Sequence, residues 1–232
     1  MTRKLLFVSL AAVLACGFSV LNAQQRQEPK VIVEWSLANP PGVQSVEGRP
    51  TLVQTALGPT VSFDGVDDGF FLTVNPLDGL EQLTLECIFR PAGDGPKEQR
   101  FMHLGTTGQR IMFETRITPD KQWYFDAHTA LSNGKSLTLI DPALLHPTDR
   151  WYNVTLVWTR TSAATYVNGV PQRWGNLDFL PVNGGVSSIG MRQNKVGWFK
   201  GEIYKIRVTG VALSPGDFLK DYEALNAAAA GE

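Results

Sequence analysis

The only acidic cluster in the chain falls on a predicted turn. Asp64, Asp67 and Asp68 lie in the segment 61–72, which reads Val-Ser-Phe-Asp-Gly-Val-Asp-Asp-Gly-Phe-Phe-Leu. Calcium takes several oxygen ligands, among them carboxylates and carbonyls, and three aspartates within five residues could supply some of them. Asp64-Gly65 is also a favourable turn pair, with the other two carboxylates in solvent. The cluster therefore predicts either a calcium site or ordinary turn chemistry.

Catalytic patterns are missing from this sequence. Polysaccharide hydrolysis commonly uses two carboxylates placed on either side of the scissile bond, but Glu86 and Glu114 stand singly on predicted strands. The histidines His103, His128 and His146 have no partner at zinc-ligand spacing. Neither a phosphate-binding loop nor a nucleophile elbow is visible. An enzyme is therefore not the favoured interpretation, although the sequence leaves the question open.

A candidate binding surface follows from strand alternation. Side chains alternate across a strand, so Trp123 and Phe125 are predicted to face the core, and Tyr124 and His128 to face outward together with Asp126. By the same argument, the neighbouring segment presents Glu114 and Arg116 on one face. Polar and aromatic side chains on a sheet suit sugars, although a polar face is also the default for a solvated antiparallel sheet.

We expect Arg116, Tyr124 and His128 to contact a ligand if one exists. Trp174 and Trp198 lie in segments that resemble loops, rich in glycine and asparagine, and are candidates for the rim of such a site. Capping of the core is an equally good interpretation of both tryptophans.

The residue pattern from Val31 onward predicts an all-β sandwich. Short runs rich in β-branched and aromatic residues are interrupted every 8–15 residues by turn formers. In the segment 83–90 the positions of Leu83, Leu85, Cys87 and Phe89 are predicted to face the core. The Asn168-Gly169 pair predicts a tight hairpin.

The end of the chain carries two further signals. Ile203 and Ile206 are three residues apart on one predicted strand, so a β-bulge is needed to restore alternation. Ser214, followed by Pro215, predicts a capped helix start, with Phe218, Leu219 and Tyr222 packed on the sandwich.

Six segments together resemble one family. They are Phe63-Asp-Gly-Val-Asp-Asp68, the strand 83–90 followed by Pro91, the tryptophan-led strand 150–157, Tyr166-Val-Asn-Gly169, Ser187-Ser-Ile-Gly190 and the closing segment 201–218. In this order they are similar to laminin G-like domains of the concanavalin A-like lectin/glucanase superfamily. Departures occur at Ile88, Asn153, Tyr204 and Lys205. The last two weaken any transfer of a calcium site that uses the closing strand.

The resemblance implies a jelly-roll sandwich of two antiparallel sheets with a short C-terminal helical turn. It also implies a secreted, non-catalytic module that binds carbohydrate or takes part in adhesion or protein interaction, with a glycan or an envelope protein as partner. The alternative is a glycoside hydrolase or lyase of the same fold. Such enzymes usually carry a Glu-x-Asp-x-x-Glu strand, and no Glu-x-Asp occurs here.

The N-terminus predicts export. Arg3 and Lys4 precede an uncharged apolar run of about ten residues, which is typical of a signal peptide and too short to span a bilayer. We expect residues 1–23 to be the signal peptide, cleaved after Ala23, with a leader at 24–30, one domain at 31–225 and a flexible tail at 226–232. The alternative is a lipoprotein anchored at Cys16.

The charge of the chain limits the classes of partner that are expected. The net charge is -1, and removal of Arg3 and Lys4 leaves 19 basic against 22 acidic residues. Because no basic run occurs, a nucleic acid is not expected as a partner.

Cys16 and Cys87 are the only cysteines, so the processed chain has no internal disulfide. Cys87 is predicted to be a small buried hydrophobic residue. Nothing in the sequence indicates an oligomeric state.

Overall fold

The computed structural model describes residues 30–231. Short runs of β-branched and aromatic residues form sixteen strands, followed by a 3-10 turn at Pro215–Asp217 and one α-helix. The elements are β1 (Val31–Ser36), β2 (Val43–Glu47), β3 (Thr51–Thr55), β4 (Gly58–Asp64), β5 (Gly69–Leu72), β6 (Leu83–Pro91), β7 (Glu98–Gly105), β8 (Arg110–Ile117), β9 (Gln122–Ala130), β10 (Ser136–Ile140), β11 (His146–Pro147), β12 (Tyr152–Trp158), β13 (Ser162–Val167), β14 (Val170–Asn176), β15 (Val186–Ile189), β16 (Lys200–Thr209) and α1 (Asp221–Ala229). The signal peptide, Cys16 and most of the leader predicted from the sequence lie outside the described residues.

The strands form two antiparallel sheets of eight strands each. Sheet I has the order β14-β13-β12-β6-β16-β4-β3, and β1 also pairs with β16. Sheet II has the order β10-β9-β8-β7-β15-β5-β2, and β11 also pairs with β9. The predicted all-β sandwich of two antiparallel sheets is therefore confirmed.

The space between the sheets is filled by inward-facing aliphatic and aromatic side chains. Phe89 of sheet I stacks on Phe101 of sheet II with ring centroids 4.7 Å apart, and meets Trp123 edge-on at 5.1 Å. Such ring pairs contribute beyond the apolar area that they bury. Cys87 is fully buried in this core as a free thiol, as the alternation of β6 predicted.

Two local predictions are confirmed by the backbone. Asn168 and Gly169 have φ values of 52° and 77°, which is the left-handed pair that the tight hairpin between β13 and β14 requires. The register of β16 on β6 shifts between Ile203 and Lys205, so Ile203 and Ile206 both reach the core.

The turn predicted at Asp64-Gly65 does not connect two strands of one sheet. β4 pairs with β16 in sheet I, whereas β5 pairs with β15 and β2 in sheet II. The loop from Gly65 to Asp68 therefore carries the chain from one sheet to the other. Alternation describes each strand separately and does not indicate whether two neighbouring strands belong to the same sheet.

The C-terminal segment covers the outer face of sheet I. Ser214 precedes the 3-10 turn but makes no side-chain cap, and the α-helix begins only at Asp221. The tail predicted for residues 226–232 begins inside α1, which continues to Ala229. Asn226 explains this continuation: its side chain accepts a hydrogen bond from the Trp151 N–H at 2.9 Å and donates one to the Trp151 carbonyl at 2.8 Å. No helix among the described residues is long and apolar enough to cross a bilayer.

A buried carboxylate on β6 holds the C-terminal segment in place. Glu86 faces outward from sheet I, as predicted, but is fully buried beneath the covering segment. Its Oε1 accepts hydrogen bonds from the Leu219 N–H at 2.7 Å and from Asn153 Nδ2 at 3.1 Å. Its Oε2 accepts from Arg207 Nε at 2.6 Å. Glu86 therefore fixes the covering segment to three strands of sheet I.

We expect Glu86→Gln to lower the free energy of unfolding by about 3 kcal/mol, because an amide leaves the partly buried Arg207 guanidinium without its counter-charge. Urea denaturation measures the change, and hydrogen exchange should show earlier loss of protection in α1 than in β8. The matched control is Glu81→Gln, which breaks an exposed pair with Arg160 and should cost less than about 1 kcal/mol. Equal losses in the two variants would contradict the anchoring role.

Candidate functional site

The outward face of sheet II carries most of the residues predicted to bind a ligand. No helix of the described residues packs on this face. Alternate residues of β7 to β10 point outward and are aligned across the strands by the pairing register, in four rows. The rows are Arg110, Ala130 and Ser136 (row 1); His103, Met112, His128 and Thr138 (row 2); Arg100, Glu114, Asp126 and Ile140 (row 3); and Glu98, Arg116 and Tyr124 (row 4).

Rows 3 and 4 contain a network of ion pairs. Glu114 and Asp126 are directly opposite each other on β8 and β9, where two like charges repel. Arg116 bridges them, with Nη1 3.0 Å from Glu114 Oε2 and Nη2 2.7 Å from Asp126 Oδ2. Arg100 Nε lies 2.8 Å from the same Glu114 oxygen, and Arg100 Nη2 lies 3.3 Å from Glu98. The two arginines thus hold the carboxylates, and one another, in fixed positions.

Two carboxylates of this network are almost completely withdrawn from water, whereas the side chain of Glu98 is 52 % exposed. Glu114 is 4 % exposed and Asp126 is 3 % exposed. Burial, reinforced by the charge of Glu114, raises the pKa of Asp126 to about 6, although Arg116 opposes the shift. The Oδ1 atom of Asp126 is buried without a hydrogen-bond partner among the described residues.

The structure brings the predicted residues Arg116, Tyr124 and His128 onto one face, with Arg116 and Tyr124 opposite each other. Their environments differ. Tyr124 is half-buried beside the network, whereas His128 Nδ1 lies 2.8 Å from the Thr138 hydroxyl. Arg116 is already committed to two carboxylates, so its first role is to hold the network together.

The two tryptophans are placed differently from each other. Trp174 lies on β14 and not in a loop; it is 70 % exposed and stands opposite Ala164 at the edge of sheet I. Trp198 does lie in a loop and is half-buried. Its neighbour Gly197 accepts a hydrogen bond from the Arg100 N–H at 2.6 Å, which places this loop beside row 3. Trp198 therefore flanks the outward face of sheet II, and Trp174 belongs to the other sheet.

Sequence reasoning missed the pairing of Glu114 with Asp126. Alternation assigned both to an outward face, but their meeting depends on the register of β8 and β9. That register is set by the tight turn between Ile117 and Gln122, where Lys121 has a φ of 54°. The Pro119-Asp120 pair was the signal that could have fixed the turn. Glu86, the other predicted strand carboxylate, lies on the opposite side of the molecule.

The acidic cluster forms a compact loop between the sheets. One oxygen from each of Asp64, Asp67 and Asp68 lies within 4.8 Å of the others. Asp64 Oδ1 accepts the N–H groups of residues 66, 67 and 68, and although partial burial opposes ionisation, these bonds lower the pKa of Asp64. Asp68 accepts the N–H of Arg49 at 2.5 Å and that of Asp64 at 3.0 Å, and burial raises its pKa.

These contacts fit calcium only in part. The carboxylate of Asp67 and the Oδ2 atom of Asp64 have no N–H partner among the described residues and remain available as ligands. Calcium takes 6–8 oxygens, so water or a bound molecule would have to supply the others. The calcium site therefore stays a prediction, while the structural role of Asp68 is visible in its two backbone contacts.

We expect Asp68→Asn to cost about 2 kcal/mol of stability, because the new amide nitrogen leaves one partly buried N–H, of Arg49 or of Asp64, without an acceptor. Asp67→Asn is the matched control and should cost less than about 0.5 kcal/mol in calcium-free buffer. Both are measured by urea denaturation. Repeating the series in millimolar calcium tests the ion: a gain in wild-type stability that Asp67→Asn reduces would support a site, and no gain would contradict it.

A second buried titratable group lies in row 2. His103 is fully buried, with Nε2 3.1 Å from the Thr106 carbonyl and Nδ1 accepting the Gln193 N–H at 3.4 Å. These two contacts fit the neutral Nε2–H tautomer. Burial lowers the pKa of His103 to about 4, although the Thr106 carbonyl opposes the shift and Arg110 adds to it.

His103 should make the fold less stable in acid. Its pKa is about 6.5 when unfolded, so the unfolded state takes up the proton first and stability falls as the pH drops from about 6.5 to 4, by up to about 3 kcal/mol. We expect the difference in unfolding free energy between wild type and His103→Gln to shrink by that amount between pH 7 and pH 4. Other titrating groups are common to both proteins and cancel. A pH-independent difference would contradict the assignment.

Comparisons with known proteins agree on the fold. A domain of an extracellular arabinanase from Geobacillus stearothermophilus, solved with arabinotriose, is 16% identical with a TM-score of 0.55, covering 82% of this chain and 97% of that one. The receptor-binding domain of a botulinum neurotoxin C/D mosaic is 14% identical with a TM-score of 0.62, covering 84% of this chain and 51% of that one. This chain thus spans about half of the neurotoxin domain.

A pentraxin from Limulus polyphemus is 19% identical with a TM-score of 0.50, covering 67% of this chain and 77% of that one. No curated protein sequence matches the chain. The profile of the Laminin_G_3 family, described as the concanavalin A-like lectin/glucanases superfamily, matches residues 64–217. Those residues are most of the sandwich, and the chain belongs to this family.

Proposed function

We propose that the chain is a non-catalytic carbohydrate-binding module that binds its ligand on the outward face of sheet II. The observation that carries the proposal is the contrast between the two outer faces. The chain's own C-terminal segment covers sheet I, whereas no helix of the described residues packs on sheet II, where Tyr124 stands half-buried beside fixed polar groups. Side chains held in place before binding lose little entropy when a ligand arrives, and this favours affinity.

The chemistry of this face suits sugars. Hydroxyl groups need hydrogen-bond donors and acceptors, which His128, Thr138 and the network of Arg100 and Arg116 present. An aromatic ring offers a stacking surface, and Tyr124 stands next to those groups. The arabinanase domain that this chain resembles was solved with arabinotriose, and the neurotoxin domain is described as receptor-binding. Both descriptions support a binding role. We place Trp198 at the rim, and export to the cell surface is part of the same proposal.

The enzymatic alternative gains no support from the carboxylate pair. Glu114 and Asp126 share the guanidinium of Arg116 and are almost fully buried, so a glycosidic oxygen cannot approach them. General acid–base catalysis needs the carboxyl group within hydrogen-bond reach of the substrate. Release of reducing ends from polysaccharides by the protein would overturn the non-catalytic assignment.

We expect Tyr124→Ala to weaken binding by at least about 1 kcal/mol, a factor of about five in Kd, while the midpoint of thermal unfolding changes little. A glycan array identifies a ligand, and calorimetry measures both variants. Trp174→Ala is the matched control, since it removes an exposed aromatic residue from the other sheet and should leave affinity unchanged. If Trp174→Ala abolished binding and Tyr124→Ala did not, the binding surface would lie at the edge of sheet I.

A further inference from the structure

The charges on the outward face of sheet II are divided between its two ends. Rows 3 and 4 contain two arginines and three carboxylates, joined by ion pairs. Rows 1 and 2 contain Arg110, His103 and His128 and no carboxylate. Arg192 lies in the loop that follows β15, next to Gln193, whose N–H donates to His103 Nδ1 at 3.4 Å and whose Nε2 donates to the Gly105 carbonyl at 2.9 Å. One end of the face is therefore internally compensated and the other is basic.

Neither arginine of the basic end has an acidic partner. Within residues 30–231, no carboxylate lies within ion-pair distance of Arg110 or Arg192. Arg110 Nη1 donates to the Thr107 carbonyl at 2.5 Å, which leaves its charge uncompensated, and its Nε is buried without an acceptor. The acid with most influence on Arg110 is Glu114, but Glu114 is already bound at 2.8 Å by Arg100 and at 3.0 Å by Arg116.

The arrangement costs free energy in the absence of an anion. Two guanidinium groups with no counter-ion between them repel each other, and burial together with Arg192 lowers the pKa of Arg110. Burial also lowers the pKa values of His103 and His128, so both rings are uncharged near pH 7 and serve as hydrogen-bonding groups. A guanidinium pair without an acid is suited to a carboxylate or sulfate, which arginine binds through two parallel hydrogen bonds.

We infer that Arg110 and Arg192 bind the carboxylate or sulfate group of an acidic polysaccharide. The inference rests on the proposed carbohydrate-binding function and narrows its ligand. About 13 Å separate Arg110 from Glu114 along β8. A glycan crossing the face would thus place an anionic group over rows 1 and 2 and neutral hydroxyls over rows 3 and 4.

The test compares three glycans on four proteins by calorimetry at fixed ionic strength. The glycans are polygalacturonate, dextran sulfate and neutral dextran, and the proteins are wild type, Arg110→Ala, Arg192→Ala and Arg150→Ala. Arg150 is the matched control: it is exposed, has no ion pair among the described residues and precedes β12 in sheet I. Arg192 lies in a loop, so its variant is informative even if Arg110→Ala fails to fold.

We expect the wild type to bind at least one anionic glycan, and each of Arg110→Ala and Arg192→Ala to weaken that binding at least tenfold. Arg150→Ala should bind like the wild type. The preferred polymer distinguishes carboxylate from sulfate. Equal losses in all three arginine variants would indicate non-specific polyanion binding and overturn the inference. Binding of neutral glycans alone, sensitive to Tyr124→Ala, would overturn it while leaving the proposed function intact. Binding of no glycan on these polymers or on an array would contradict both.

Discussion

The structure depends on one buried carboxylate, Glu86, at the centre of sheet I. A sandwich has two outer faces, and no disulfide fixes the ends of the chain within residues 30–231. Glu86 joins Arg207, Asn153 and the Leu219 N–H, so the last segment of the chain closes over sheet I. A buried ion pair often adds little net stability relative to an apolar replacement, but it specifies one arrangement of the groups it joins. Here the arrangement decides which sheet remains open to a ligand.

On the outward face of sheet II, two carboxylates rather than one must be neutralised. Glu114 and Asp126 are placed face to face by the register of β8 and β9, and this pairing would be unfavourable without Arg116 between them. The arginine that makes the pairing tolerable also makes it rigid. The carboxylates of this face are all engaged in ion pairs with Arg100 and Arg116, so none is left to pair with Arg110 or Arg192. At the basic end, Arg110 comes from β8 of the same hairpin, whereas Arg192 comes from the loop that follows β15.

The sequence predicted what depends on single strands. Alternation gave the correct phase of β9, with Trp123 and Phe125 inside and Tyr124 outside, and the spacing of Ile203 and Ile206 predicted the bulge in β16. It could not predict what depends on distant partners. The crossing of β4 and β5 between sheets and the helix held by Asn226 arise from contacts between residues distant in sequence, and the Glu114–Asp126 pair depends on a register that alternation alone does not give. The sequence therefore predicted which face of the sheet carries the candidate site. The separation of that face into a compensated end and a basic end could be seen only once the pairing register of the strands was known.

The pKa values of two buried titratable groups on this face are shifted in opposite directions. His103, with its pKa near 4, makes the folded state less favourable as the pH falls through about 6.5 to 4. Asp126, with its pKa near 6, is protonated earlier in the folded than in the unfolded state, so its contribution to stability increases as the pH falls from about 6 to 4. The two shifts therefore act on stability in opposite directions as the pH falls. Because the pKa of Asp126 is the higher of the two, its protonation removes one negative charge from row 3 while His103 is still neutral.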